Sequence, residues 1–179
     1  MIIKYKITTS ENDDFLLEIE LPKDKTFMDF HYAIVQACDY DPQMPGTFFL
    51  SDQMWDYHNE IIIERFDEES QANLLLMEET NLEHFNPFKG QRYLYVFDDI
   101  MQRGFFIEIS NIRPLKQTEK LTDFPKFKLK EKPPKQFEID SDFDKVENED
   151  VNNFEENFDD IDNLDDLDYE DYSDSYDDY

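Results

Sequence analysis

The chain has 179 residues and a formal net charge of −28, from 45 acidic and 17 basic side chains. A charge of this sign repels phosphate groups, which argues against nucleic-acid binding by the whole chain. Cys38 is the only cysteine, which excludes an intramolecular disulfide and a cysteine-based zinc site. Because the sequence shows no apolar run of ~20 residues and no signal peptide, we expect a soluble, cytoplasmic protein.

The negative charge is concentrated at the C-terminus. Residues 137–179 contain 20 Asp and Glu against one Lys, a charge of −19, and residues 1–136 carry the remaining −9. We therefore predict three parts: an α+β domain over residues 1–112, a basic linker rich in Pro and Lys over 113–136, and a disordered acidic tail over 137–179.

The first elements show clear periodicity. Residues 3–7 and 15–21 alternate between apolar and polar side chains, which predicts an antiparallel hairpin. Thr26 resembles an N-cap with an acidic residue three positions on, and the apolar spacing that follows predicts an amphipathic helix over residues 27–38. His31 lies one step round from the apolar face of this helix, where we expect a packed or surface histidine.

The middle of the domain is less regular. Short apolar runs at residues 47–50 and 61–63 predict strands, whereas the run at 74–77 is ambiguous between strand and helix. Thr80 and Glu83 have the spacing of a capping box. They predict a short second helix, which the following Asn-Pro pair limits to about one turn.

Two aromatic and β-branched runs, at residues 92–97 and 105–109, predict a hairpin. Asp98, Asp99 and Gly104 supply residues typical of turns. We expect this hairpin to lie in a mixed or mainly antiparallel sheet.

Most of residues 1–112 resembles the plasmid pRi ORF-3-like family, also called transposon TnpR-like. The segments that carry the resemblance include the opening hairpin and residues 30–34, 39–41, 48–50, 82–85 and 93–98. The family strand ends in Tyr-x-Tyr-Asp-Phe-Gly-Asp and continues with Trp-x-His. Here Asp99-Ile100-Met101 replaces the Phe-Gly-Asp part, and Arg103 and Phe105 stand near the Trp and His positions. The resemblance implies an α+β fold and little about activity, because most of the family's polar motif is absent.

Few residues point to chemistry. The three histidines lack the spacing of metal ligands and the three glycines are isolated, so no metal and no cofactor is expected. Adjacent acids in the central turn could bind a hard cation or act as an acid–base pair, although such a pair is more often only a turn. The candidate polar site consists of Asp98, Asp99, Trp55 and His58.

The basic segment allows two interpretations. Residues 113–135 hold eight Lys and Arg against three acids, with four prolines. Lys126, Lys128 and Lys130 alternate with apolar residues and could add an edge strand, but the composition favours an irregular linker. This cluster could contact DNA, and the acidic tail could fold back and mask it.

The tail carries apolar residues at steps of three and four. Charge repulsion would keep a helix unformed in isolation, whereas a basic groove could neutralise the acids and fold the segment as it binds. A solubilising, repulsive tail is the other interpretation. The apolar stripe consists of Val151, Phe154, Phe158, Ile161, Leu164 and Leu167.

These features favour a non-enzymatic interaction module that presents its acidic, aromatic tail to a basic protein partner. One alternative is a mobile-element-associated factor that acts on DNA through residues 113–135. A second is a small-molecule or metal-dependent enzyme with a degenerate site near Asp98.

Overall fold

An eight-stranded sheet with one α-helix forms the part of the chain that the computed structural model describes, residues 1–67 and 73–136. The strand order is β5-β4-β3-β6-β7-β1-β2-β8. Neighbouring strands are antiparallel except β4 and β5, which are parallel. The predicted α+β class with a mixed, mainly antiparallel sheet is therefore confirmed. The elements are β1 (Ile2–Thr8), β2 (Leu16–Pro22), α1 (Phe27–Cys38), β3 (Thr47–Ser51), β4 (Tyr57–Ile62), β5 (Leu75–Leu76), β6 (Arg92–Asp98), β7 (Arg103–Arg113) and β8 (Lys126–Lys130).

Helix α1 begins and ends where the sequence predicts. The Thr26 hydroxyl accepts a hydrogen bond from the Asp29 amide, and the Asp29 carboxylate accepts one from the Thr26 amide. This reciprocal capping box satisfies two amides that the first helical turn leaves without partners. Asp39 ends the helix in the left-handed conformation at φ 56°. The helix of twelve residues falls short of what crossing a membrane requires, and no other helix in the described residues qualifies.

The core lies between α1 and one face of the sheet, and aromatic rings dominate it. Phe30 of the helix packs on Tyr5 of β1 and Phe48 of β3, with ring centroids 4.2 and 5.2 Å away. Both contacts exist because alternate residues of each strand point to the same side of the sheet. Side chains of the central hairpin, Tyr95 and Phe105 among them, complete this core and are buried.

The second, short helix predicted after Thr80 is wrong. Asn81 forms an isolated β-bridge with Thr26, and residues 82–85 form turns rather than a helix. The Phe27 amide donates to the Thr80 carbonyl, and the Leu82 amide donates to the Lys25 carbonyl. Backbone groups at the expected start of this helix instead bind the segment that leads into α1, and the following Pro87 limits any continuation.

The prediction of an irregular linker over residues 113–136 is also wrong in its central part. Residues Lys126–Lys130 form β8, which pairs antiparallel with β2 along five residue pairs. The register places Lys128 opposite Glu18 and Lys126 opposite Glu20. Cross-strand pairs of opposite charge stabilise a sheet, and this attraction favours the strand over the irregular form that the composition suggested.

A cluster of ion pairs fixes the loop between β7 and β8. The Glu119 carboxylate accepts hydrogen bonds from Arg113 at 2.8 and 3.0 Å and from Lys126 at 2.8 Å. Arg113 also donates to Glu20 of β2 at 2.5 Å. These charge-assisted bonds hold the pKa of the Glu119 carboxyl well below its usual range and raise the pKa of Arg113.

Candidate functional site

Arg103, at the start of β7, organises the polar end of the central hairpin. Its guanidinium binds both oxygens of the Glu11 carboxylate, at 3.1 and 2.7 Å, and lies 3.5 Å from the Asp98 carboxylate. The cation also lies over the Phe97 ring, 5.3 Å from its centroid. Asp98 additionally accepts a hydrogen bond from the Met101 amide. Asp98, the buried last residue of β6, is thus held by an arginine and by a backbone amide of the turn.

Trp55 lies on the sheet face opposite α1. Its backbone is in the left-handed region at φ 68°. The indole packs edge-on against Phe106, at 4.9 Å, and the Arg92 guanidinium lies 4.8 Å from its centroid. Trp55 and Arg103 line the same concavity of about 460 Å³. The loop before β4 therefore brings Trp55 to the Arg103 end of the hairpin.

The four residues of the candidate polar site do not converge. Asp99 is exposed, accepts a hydrogen bond from Gln102 at 2.9 Å, and lines a different concavity from Trp55. His58 is exposed, and its Nε2 lies 3.9 Å from the Asp52 carboxylate. Neither concavity is lined by His58. Asp98 pairs with Arg103, which lines the same concavity as Trp55, whereas Asp99 and His58 do not line that concavity.

Residues 134–136 bind back to the domain, which the sequence did not predict. The Tyr40 hydroxyl donates to the Pro134 carbonyl at 2.6 Å, and the Asp41 amide donates to the Gln136 side chain at 2.7 Å. Arg103 donates to the Lys135 carbonyl at 2.8 Å. The described chain therefore ends at a fixed place, beside the end of α1 and the central hairpin. Two of the three acceptors are backbone carbonyls, which carry no sequence pattern, and the third is the side chain of Gln136, so no signal in the sequence announced these contacts.

The basic residues proposed for DNA contact belong to β8 and have acidic neighbours. Lys126 binds Glu119, and Lys130 lies 3.9 Å from the Asp14 carboxylate. Lys128 stands opposite Glu18 in the register. A phosphate backbone would have to compete with these carboxylates for the same ammonium groups.

A buried polar pair connects the helix to the sheet. His31 Nδ1 lies 2.8 Å from the Tyr95 hydroxyl, and both side chains are almost completely buried. The packed histidine that the sequence favoured is observed, although its partner could not be foreseen. Cys38 is buried near the end of the same helix, and burial raises the pKa of its thiol to about 12. A thiol in this state is a packing group rather than a nucleophile.

No cluster of three or more His, Cys, Asp or Glu side chains suited to a metal occurs in residues 1–67 and 73–136. The tail stripe from Val151 to Leu167 lies outside the described residues.

Comparison with known proteins gives a fold relationship. No family model matches the sequence, and no curated protein matches it. Among solved structures, the chain is similar to the crystal structure of a protein of unknown function from Methanosarcina mazei Go1. The two share 18% identity with a TM-score of 0.57, over 71% of this chain and 67% of the other. The likeness shows a shared fold.

Proposed function

We propose that this protein is a non-enzymatic interaction module whose acidic C-terminal segment binds a cationic protein partner in the cytoplasm. The observation that carries the proposal is the density of charge: residues 137–179 have a net charge of −19. Such a segment raises the encounter rate with positively charged partners over distances of about the Debye length, ~8 Å at physiological ionic strength.

Contacts at the end of the described chain support this proposal. Tyr40, Asp41 and Arg103 hold residues 134–136, so the chain leaves the described residues from an anchored position. Fewer freely rotating residues before a binding segment reduce the conformational freedom that is lost on binding. Anchoring therefore favours association of the segment that follows.

The partner is further specified by the apolar stripe of the tail. Phe154, Phe158, Ile161 and Leu164 recur at helical spacing among the acids. A basic groove with an apolar floor would complement both features, as in other helix-in-groove complexes. A nucleic-acid-binding protein is one class of partner that offers such cationic surfaces.

The test separates the contribution of the tail's charge to binding from the contribution of its apolar stripe. Fluorescence anisotropy would measure binding of a labelled arginine-rich peptide to the intact chain, to a chain ending at Gln136, and to a variant with Phe154→Ser, Phe158→Ser and Ile161→Ser. We expect the truncation to abolish binding. The serine variant keeps every charge. If it bound a natural partner more weakly but bound the peptide equally well, the apolar stripe would be the element that confers partner specificity. Equal peptide affinity with and without residues 137–179 would refute the proposal.

We also propose that the chain is a divergent member of the plasmid pRi ORF-3-like family, on the residues given above. A transposase or conjugation operon beside its gene would support a mobile-element link, and a neighbourhood without one would weaken it. The DNA-acting and enzymatic alternatives receive less support. Lys126 and Lys130 are close to carboxylates, and the four candidate polar residues do not converge on one site.

A further inference from the structure

The sheet face opposite α1 has two different halves. Over β1 and β2 it carries charged pairs such as Lys4 and Glu18, 2.8 Å apart. Over β3, β4 and β6 it carries apolar and aromatic side chains, among them Phe49, Leu94 and Val96. Val96 is buried and Phe49 and Leu94 are half-buried, so this half of the face is only partly open to solvent. A solvent-facing sheet surface is normally polar, and partly exposed apolar side chains on it favour an interaction site.

A groove at the outer end of this apolar half has a volume of about 520 Å³. Pro45, Ile62, Ile63 and Phe66 provide its apolar lining. Ile62 is the buried last residue of β4, and Ile63 follows it and packs against the core. The base of the groove therefore rests on the end of the sheet, whereas Pro45 and Phe66 come from the loops beside it.

Every charged side chain that lines this groove is acidic: Glu60, Glu64 and Asp99. None of the three makes an ion pair with another residue of the described chain. This differs from the other half of the face, where Lys4, Glu18 and their neighbours neutralise one another. An apolar floor with a wholly negative rim is complementary to a segment in which cationic and apolar side chains alternate.

We propose that this groove binds an amphipathic cationic segment of the partner, with lysine or arginine against Glu60, Glu64 and Asp99 and apolar side chains against Ile62 and Ile63. The inference rests on the proposed cationic partner and adds a second contact on the folded domain. Two linked contacts make the second binding event intramolecular, which raises the overall affinity without strengthening either contact.

The experiment uses the intact chain with isotope-labelled isoleucine methyl groups and backbone amides. The probe is a short capped peptide that alternates leucine and arginine. We expect it to shift the methyl signals of Ile62 and Ile63 as well as amide signals of the tail. A peptide alternating serine and arginine should shift only the tail signals, because it has no apolar side chains to bury in the groove.

The charge requirement is tested with Glu60→Gln, Glu64→Gln and Asp99→Asn combined. Exposed ion pairs contribute little individually, so losing three should weaken binding in the groove about tenfold. A matched control with Asp13→Asn, Asp24→Asn and Glu131→Gln removes the same charge at exposed acids that do not line the groove, and it should leave groove affinity unchanged. Added salt should weaken groove binding in the unmodified chain, which provides a readout that needs no variant.

Each outcome decides between the two proposals. Tail shifts without methyl shifts at Ile62 and Ile63 would overturn the groove inference and leave the proposed function standing. Equal groove binding by a peptide alternating leucine and glutamine would overturn the cationic requirement. Methyl shifts that depend on protein concentration without peptide would assign the groove to a second copy of this chain. Absence of any response would overturn both proposals.

Discussion

His31 Nδ1 lies 2.8 Å from the Tyr95 hydroxyl, inside the core between α1 and β6. Burial lowers the pKa of His31 to about 4 and raises the pKa of Tyr95. Both side chains are therefore neutral near pH 7, and each satisfies a polar atom of the other. Such a pair avoids the cost of an unsatisfied buried group while fixing how the helix sits on the sheet.

This pair predicts a loss of stability in acid. The unfolded chain protonates His31 near its usual pKa of about 6.5, whereas the folded state resists protonation down to about 4. Stability therefore falls as the pH drops from about 6.5 to about 4. Near pH 5 the contribution of this one residue is a loss of about 2 kcal/mol relative to neutral pH. Urea unfolding at several pH values would measure it.

The control is His31→Gln, which retains hydrogen-bonding groups but does not titrate. Its own stability will be lower at neutral pH, so the comparison uses only the slope with pH. We expect a smaller loss between neutral pH and pH 5 in the variant than in the unmodified chain. Parallel curves for the two proteins would contradict the assignment to His31.

Gly46 allows the close approach of the Tyr95 ring. A Cβ at this position would overlap the hydroxyl and come within 2.7 Å of two ring carbons. We expect Gly46→Ala to lower the free energy of unfolding by about 1–3 kcal/mol, as overpacking does elsewhere. Combining Gly46→Ala with Tyr95→Phe would remove the overlap with the hydroxyl but leave the close contacts with the ring carbons.

Gly104→Ala provides the comparison, because its Cβ would lie 2.7 Å from the backbone carbonyl oxygen of Tyr95. A side chain can shift more easily than a strand that is paired in a sheet. Gly104→Ala should therefore lower the free energy of unfolding more than Gly46→Ala does. Thermal unfolding of the two variants would establish the order, and the reverse order would show that the Tyr95 side chain is the more rigid element.

Arg103→Leu should be among the more destabilising changes at the central turn. The Arg103 and Asp98 side chains are 12% and 8% exposed, and removal of the arginine leaves a buried carboxylate without its cation. Breaking such a pair costs about 3 kcal/mol. Adding Asp98→Asn should restore part of the loss. Chemical unfolding of the two single variants and the double variant measures the coupling, and purely additive effects would contradict it.

A chain ending at Gln136 should not gain affinity for heparin. Lys126 and Lys130 are close to Glu119 and Asp14, and residues 1–136 keep a net charge of −9. This expectation opposes the hypothesis that the acidic tail masks a basic linker. Heparin chromatography of the intact and shortened chains at low salt distinguishes the two, since tighter retention of the shortened chain would restore the masking hypothesis.

Local periodicity accounts for most of what the sequence revealed. Alternation predicted β1, β2 and the central hairpin, and the Thr26 cap predicted the start of α1. These signals are local, since each depends on residues a few positions apart. The same logic failed at Thr80, because its carbonyl binds the amide of Phe27 at the start of α1, more than fifty residues earlier in the chain.

Non-local pairing also explains the error at β8. Composition pointed to a linker, but Lys126 and Lys128 lie opposite Glu20 and Glu18 of β2. Of the candidate polar site, Asp98 pairs with Arg103 and Trp55 lines the same concavity as Arg103. The bond from Arg103 to the Lys135 carbonyl depends on the path of the chain after β8, which the sequence does not reveal. The groove at Glu60, Glu64 and Asp99 joins residues from β4, the segment after β4 and a distant turn, which no motif links.

Both margins of the sheet are poorly suited to recruiting another strand. β5 is two residues long, and β8 repeats lysine at every second position. Short edges and lysine-rich edges discourage the edge-to-edge pairing that begins cross-β fibrils. A sheet of eight strands rich in aromatic residues would otherwise be prone to such growth, so the protein should withstand high concentration and prolonged storage without forming fibrils.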